Sequence, residues 1–301
     1  MTKGTVYGFG EIVYDIIFKN NKIIKGQPGG SVLNALINLS FLKCKTSLIS
    51  AISNDELGKT IRRFILEQKV KTNFLEKVAV KTKIALAFLN DENNADYIFY
   101  NDNDKSNYFS KIPDFKPGDV FLFGSSAAIE KNNRKYLSGL LKSAKNSEAI
   151  VYYDPNIRKS VIDKYPAFNS IVLKNIAKSD IVRGSKDDFF AIFETIDYKI
   201  ISKKVARLGN PVLIITDADK PVVFFLDGKK YEVKFRPVKA ISAIGAGDAF
   251  NSGFIQSMLL NKIQKNDLRG IDYKTITGYV LNAVSISSEV CLSTGNYIIK
   301  S

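Results

Sequence analysis

Gly245, Ala246 and Gly247 run directly into Asp248, and an apolar, helix-like segment follows through Ala249, Phe250, Phe254, Ile255, Met258 and Leu259. Glycines ahead of a helix start leave backbone N–H groups clear of side-chain bulk, and the helix dipole adds partial positive charge there. Such a place receives a phosphate or another anion. A carboxylate in the first turn is electrostatically comfortable and can accept a proton at the edge of that anion site. One group then cradles developing negative charge while its neighbour removes a proton, a pairing that suits phosphoryl transfer to a hydroxyl. A Gly-rich turn with an aspartate near a helix start satisfies the same spacing without chemistry, and these residues alone leave both readings open.

Two further clusters carry polar groups in unusual places. After Gly29 and Gly30, Ser31 is expected to cap a helix with Leu33, Leu36, Ile37, Ser40 and Phe41 on one face. Asn34 interrupts that apolar opening and reads equally as a surface asparagine or as an amide that holds a ligand hydroxyl. The second cluster, Asp154, Asn156 and Arg158, directly follows a buried-strand pattern. It offers an acceptor, an amide and a fixed cation in one short loop, where ligands bind at the carboxyl ends of strands.

The elements that must position these residues alternate. Strands are expected at 6–9, 46–52, 120–123, 149–153, 181–182, 212–216 and 222–226. A hairpin turns at Asn20 and Asn21, and paired strands at 84–89 and 97–100 flank Asn93 and Asn94. Helices are expected at 55–67, 132–145, 186–194, 200–208, 247–260 and 273–289. The pattern predicts an α/β fold with a mostly parallel sheet flanked by helices. No repeat or linker divides it, so residues 1–301 are expected to form a single domain.

Composition narrows the chemistry. The chain has no histidine, which excludes Ser-His-Asp triads, Cys-His pairs and histidine-ligated metals. Acid–base work falls to Asp, Glu, Lys or Tyr, and any metal is a hard cation on oxygen ligands. Cys44 and Cys291 are too few for a disulfide framework and read as buried free thiols in helix-like surroundings. The formal net charge of +14 comes from lysines scattered among Asn and Ile, without arginine blocks. That bias explains the charge more simply than a nucleic-acid groove, while still favouring anionic substrates such as nucleotides. The opening residues carry no apolar leader and no run reaches membrane-spanning length, so a cytoplasmic protein with no nucleic-acid or membrane partner is expected.

Taken together, these stretches resemble the ribokinase/PfkB family of carbohydrate kinases, in its fructokinase-like branch, over nearly the whole chain. Gly29 to Asn34 with Asn38 and Leu39 is similar to the family's amino-terminal signature, and Ser242 to Gly253 to its carboxy-terminal one. The resemblance implies a Rossmann-like domain with a small β-lid drawn from about 11–26 and 84–101. By carry-over, Asp248 is the base, and Gly245, Ala246 and Gly247 form the anion hole. Asp15, Gly29, Gly30, Asn34 and Arg158 lie on the sugar side. Asn156, Ser185, Thr216, Asp217 and Asn282 lie on the nucleotide side, with Asp188 as metal ligand. The substrates implied are a sugar and ATP with Mg²⁺, with room for a monovalent cation. Independently of the resemblance, an exposed lid sheet offers its edge to another lid across a two-fold axis, which makes a homodimer through the lid an expectation.

Three departures stand against the pattern. The family's Asp-Thr before the Gly-Ala-Gly-Asp core is Ser242-Ala243 here, and its Asn-x-x-Glu is Ser185-Lys186-Asp187-Asp188. Its Thr-x-Gly turn reads Thr216-Asp217-Ala218. Lost glycine and added carboxylates crowd and repel a triphosphate. They motivate a second reading, a non-catalytic sugar-binding paralogue, beside the sugar kinase with fructose or a similar ketose or pentose as acceptor. A nucleoside kinase is the third, with Phe99, Tyr100 and Tyr108 either forming a base pocket or serving as lid core and rim.

Overall fold

The computed structural model describes residues 4–90, 95–100, 108–157, 162 and 167–298. The chain runs β1 (Thr5–Phe9), β2 (Val13–Lys19), β3 (Lys22–Gly29), α1 (Ser31–Phe41), β4 (Lys45–Ser53), α2 (Glu56–Glu67), β5 (Lys71–Val78), β6 (Ile84–Leu89) and β7 (Ala95–Tyr100). It continues with β8 (Val120–Gly124), α3 (Arg134–Asn146), β9 (Ile150–Asp154), α4 (Phe168–Ile176), β10 (Ile181–Ser185), α5 (Lys186–Phe193) and α6 (Tyr198–Ala206). It closes with β11 (Val212–Thr216), β12 (Val222–Leu226), β13 (Lys229–Val233), α7 (Ala246–Leu260) and α8 (Tyr273–Cys291).

Nine strands form one sheet in the order β13-β12-β11-β10-β9-β8-β1-β4-β5. From β5 to β11 every pairing is parallel, and β12 and β13 add antiparallel strands at one edge. Strands covered on both faces read as unbroken apolar runs. β8 and β9, Val-Phe-Leu-Phe-Gly and Ile-Val-Tyr-Tyr-Asp, are buried at every position. Successive side chains go to opposite faces. Leu122 and Tyr152 join the core under α1, α2, α7 and α8, while Phe121, Phe123 and Tyr153 join the core under α3 to α6.

A second, four-stranded sheet has the order β3-β2-β6-β7. Asn20 and Asn21 both adopt positive φ (50° and 59°), as a two-residue hairpin turn between β2 and β3 requires. The expected turn at Asn93 and Asn94, and Asn101 at the end of the expected lid, lie outside the described residues. No described helix is long and apolar enough to cross a membrane.

The structure revises several expectations. β5, β13 and α4 were not anticipated; β5 and β13 are edge strands of the large sheet, with charged residues spread along them. Ser31 does not cap α1. Gly30 is the N-cap and gives no side-chain bond, and Ser31 begins the helix with its hydroxyl turned elsewhere. Cys44 is a buried free thiol, but it sits in the turn between α1 and β4, where burial pushes it up to about 11. Cys291, at the end of α8, is free and only half-buried.

Asp55 joins the two sheets. It caps α2 through Gly58 N–H (2.7 Å) and also accepts from Thr82 N–H (2.8 Å) and Thr82 Oγ1 (2.6 Å), just ahead of β6. Burial alone would raise its pKa, but the bonds from Thr82 and Gly58 outweigh it and hold the carboxyl at about 2. Asp55→Ala is expected to cost about 1 kcal/mol in urea unfolding at neutral pH. Because the folded pKa lies below the ordinary value of about 4, the difference between wild type and variant is present above that value. It should shrink as pH falls from about 4 toward 2. A difference that stays constant over that range would refute the role of the ionised carboxylate.

Candidate active site

A cavity of about 430 Å³ lies between the small sheet and the carboxyl ends of β1, β8 and β9. That size suits a small-molecule ligand. Two helix openings form its floor. α1 supplies Gly30, Ser31 and Asn34; α7 and the residue before it supply Gly245 and Asp248.

Asp248 is the third residue of α7 and is buried, with 6% exposure. Ser31 Oγ donates to its Oδ1 at 2.6 Å, and Asn34 Nδ2 donates to its Oδ2 at 2.9 Å. Asn34 is therefore neither a surface residue nor directed only at a ligand: its amide nitrogen orients the carboxylate on the cavity wall. Its Oδ1 is buried with no hydrogen-bond partner. Gly245 caps α7 with φ +80°, and a side chain there would collide with the Asn296 carbonyl. In the first turn of α7 the Ala246 N–H donates to the Ala243 carbonyl at 3.2 Å, and the N–H groups that follow it have no intrahelical acceptor, the arrangement that suits an anion.

Asp15, on β2, also lines the cavity and accepts from Asn296 Nδ2 at 2.9 Å. A Cβ at Gly29 would collide with the Asp15 carboxylate, and one at Gly30, where φ is +125°, would collide with the Glu11 carbonyl. The two glycines thus let β3 turn into α1 close against the acidic wall.

A buried ion pair lies beneath the opening of α7. Arg183, from β10, donates through Nη1 to Asp154 Oδ2 (3.0 Å) and through Nη2 to Thr216 Oγ1 (2.7 Å), with Phe250 beneath its guanidinium. A Cβ at Gly247 would stand 2.7 Å from Nη1, so the guanidinium lies against the backbone of the Gly-Ala-Gly turn. Burial would lower the Arg183 pKa, but the Asp154 carboxylate outweighs it and keeps the cation charged. Asp154 also accepts from Asn251 Nδ2 (2.6 Å) and from the Asn156 N–H (3.0 Å). It is an internal counter-ion, not the ligand acceptor the loop suggested. Asn156 lines the cavity at φ +41°, and Arg158 lies outside the described residues.

The other predicted nucleotide-side residues sit further along the sheet. Ser185 caps α5, and Asp188 Oδ2 accepts from its N–H and its Oγ, both at 2.7 Å. Asp188 Oδ1 accepts from Ile157 N–H at 2.7 Å, which ties α5 to the loop after β9. Thr216 ends β11, and Asp217 pairs with Lys186 at 3.1 Å. Ala218 takes φ +45° at the position of the missing glycine, so the turn keeps its left-handed geometry at a steric cost of about 1–2 kcal/mol. Asn282 is spent on Gly253, Gln256 and Ser257 of α7, holding α8 to it. No group of three or more Asp, Glu, Cys or His that could hold a metal occurs among the described residues.

Several site residues were missed in the sequence. Arg183 had a signal, a charge inside the apolar strand Ile-Val-Arg-Gly. Ser125 had none: it follows β8 at φ +53° and ψ −156°, a region that costs a non-glycine residue about 1–3 kcal/mol. Glu11 holds that turn, accepting from Ser125 Oγ (2.6 Å) and Ala127 N–H (2.9 Å). Asn296 lies beyond the last helix, where no periodicity points to it.

Comparison with known proteins accords with this geometry. Residues 5–269 match the model of the pfkB family carbohydrate kinases. Fructokinase of Vibrio alginolyticus is 22% identical over 264 residues, 87% of this chain and 86% of that protein. ATP-dependent 6-phosphofructokinase of Thermoanaerobacterium thermosaccharolyticum is 27% identical over 244 residues, 80% of this chain and 75% of that one. A fructokinase double mutant from Vibrio cholerae O395, solved with fructose, ADP and potassium, superposes with a TM-score of 0.87 at 20% identity, covering 98% of this chain and 94% of that one. With its two signatures placed at one cavity and its fold shared across the full sheet, the chain belongs to the pfkB family of carbohydrate kinases.

Proposed function

We propose that the protein transfers the γ-phosphoryl group of ATP to a hydroxyl of fructose or a similar ketose or pentose in the cytoplasm, with Asp248 as the general base. The observation that carries this reading is the Asp248 carboxylate itself, buried at a helix opening and aimed along a cavity wall by Ser31 and Asn34. A hydroxyl brought against that carboxylate loses its proton as transfer proceeds, and the loose transition state needs little prior deprotonation. The turn of Gly245, Ala246 and Gly247 receives the charge on the transferring group, through the glycine N–H groups rather than that of Ala246, which donates to the Ala243 carbonyl, and the Arg183 guanidinium behind Gly247 adds fixed positive potential. Asp15, Gly29, Gly30, Asn34 and Arg158 hold the sugar.

The nucleotide lies over the ends of β9 to β11, beside Asn156, Ser185, Thr216 and Asp217. Both oxygens of Asp188, the expected metal carboxylate, are engaged by Ser185 and Ile157, so a hard cation such as Mg²⁺ that arrives with the triphosphate would keep waters and phosphate oxygens as its ligands and meet Asp188 through water. The ion supplies charge neutralisation at the phosphates. The small sheet acts as a lid of one domain, covering the sugar and excluding water. A nucleoside acceptor is the second reading, favoured by Tyr97 and Phe99, which stack at 5.8 Å, and by Tyr100, all on the cavity wall.

ADP release by the purified protein with ATP and Mg²⁺, read across sugars and nucleosides, tests the proposal. Turnover on one acceptor is expected, and Asp248→Asn should lower it by roughly 10²–10⁴-fold with folding intact. Silence across the panel from folded protein would overturn the kinase reading, and near-wild-type turnover in the variant would remove Asp248 from its role.

Ser31→Ala isolates the positioning of the base. It is expected to lower kcat about 10-fold while KM changes little, because the hydroxyl touches the carboxylate and not the ground-state sugar. Ser31→Thr, which keeps the donor, should recover most of the loss. A rise in KM at constant kcat would instead make Ser31 a sugar ligand.

A further inference from the structure

Asn296 lies beyond α8, outside helix and strand, yet it is 1% exposed and lines the cavity. The segment that carries it is pinned to the body. Ile298 N–H donates to Asn38 Oδ1 at 2.8 Å, and the Tyr297 ring lies 5.8 Å from that of Phe64. Asn38 belongs to α1, the helix that opens with Ser31 and Asn34, and Phe64 belongs to α2. The backbone of Asn296 lies against the turn that opens α7, since a Cβ at Gly245 would stand 2.2 Å from the Asn296 carbonyl oxygen. Its side chain reaches β2, where Nδ2 donates to Asp15 Oδ2 at 2.9 Å. One residue thus touches both the carboxylate on the sugar side and the turn on the phosphoryl side.

The amide has one way to face Asp15. An ionised carboxylate only accepts, so the nitrogen end of Asn296 must meet it. That leaves Oδ1 buried with no hydrogen-bond partner. A buried acceptor without a donor is destabilising, and an apolar side chain of similar size would pack there without that cost. Packing therefore does not account for an asparagine at this position. The bond to Asp15 does.

We infer that Asn296 is a positioning residue for acceptor binding: its amide orients the Asp15 carboxylate for the acceptor's hydroxyls, and its backbone sets that carboxylate's place relative to the opening of α7. The inference rests on the kinase reading of the cavity, with Asp15 on the sugar. Its signature differs from that of Ser31. Asp15 is engaged already in the bound ground state, so loss of its orienting group should weaken acceptor binding more than it slows turnover. The nucleotide side, over the ends of β9 to β11, is left as it was.

The test is steady-state turnover on the acceptor that wild type uses, with Asn296→Ala and Asn296→Asp, each checked for folding by circular dichroism. Asn296→Ala is expected to raise the acceptor KM about 10-fold, the size of a lost bond to a charged group, with kcat falling by less and the KM for ATP changed little. Asn296→Asp keeps the size and sets a second carboxylate against Asp15. Two carboxylates so close share a proton. At about pH 5.5 the shared proton stands in for the amide hydrogen, and toward about pH 8 it is lost and the pair repels. The ratio of variant to wild-type acceptor KM should therefore grow by about 10-fold or more across that range. Glu11, Lys83, Tyr97, Tyr100, Glu130 and Asp248 line the same cavity but stand in both proteins. Tyr297, pushed up to about 12 by burial and then by Asp15, stays neutral throughout. A role in packing alone would lower stability without producing that pH dependence. An acceptor KM unchanged in folded Asn296→Ala, or a ratio for Asn296→Asp that stays level with pH, would overturn the inference and leave the kinase reading standing. Absence of turnover by folded wild type on every acceptor would retire the kinase reading, and the inference with it.

Discussion

Two helix openings meet at the Asp248 carboxylate, and the site depends on that meeting. Ser31 and Asn34 belong to the first turn of α1, Asp248 to the first turn of α7, and the bonds between them span more than 200 positions of sequence. Both helices present their amino termini to the same point, so the partial positive charges of two dipoles converge on one buried anion. A buried carboxylate survives only if its oxygens are satisfied. Here the donors that satisfy it also fix its direction. The nine-stranded sheet is the frame that makes this possible, because α1 and α7 pack side by side on one of its faces and start at the same edge.

Beneath that point, the Arg183–Asp154 pair does a different kind of work. Its charges lie in the interior, where an ion pair returns little net stability compared with an apolar replacement. Its position gives it a use: the guanidinium backs the glycine turn that opens α7 and ties β9, β10 and β11 together through Asp154 and Thr216. The carboxylate demanded by Arg183 explains why β9 ends on an aspartate turned inward.

Much of this was legible in the sequence because it rested on local pattern. Apolar runs ending in glycine or aspartate marked the central strands, and the Gly-Ala-Gly-Asp and Gly-Gly stretches marked the openings of α7 and α1. What stayed hidden was set by partners far away in the chain. Ser31 looked like a cap because a serine before an apolar run usually is one. The cavity wall instead took its hydroxyl for Asp248, and Gly30 was left as the N-cap. Asn34 read as ambiguous for the same reason. Edge strands β5 and β13 escaped notice because one face of each is wet and charged, so neither periodicity nor composition separates them from loop.

The Asp15–Asn296 bond closes a loop of 281 residues, from the second strand to the segment after the last helix. During synthesis the sheet can assemble from its amino-terminal strands outward, yet the wall that holds Asp15 stays incomplete until Asn296 has left the ribosome. Contacts of such long range are slow to form and are made late, after closer pairings have reduced the entropy of closure. Assembly of the cavity is thereby coupled to the arrival of the segment after α8, so that a chain folded short of it can hold much of its core without yet holding a finished site.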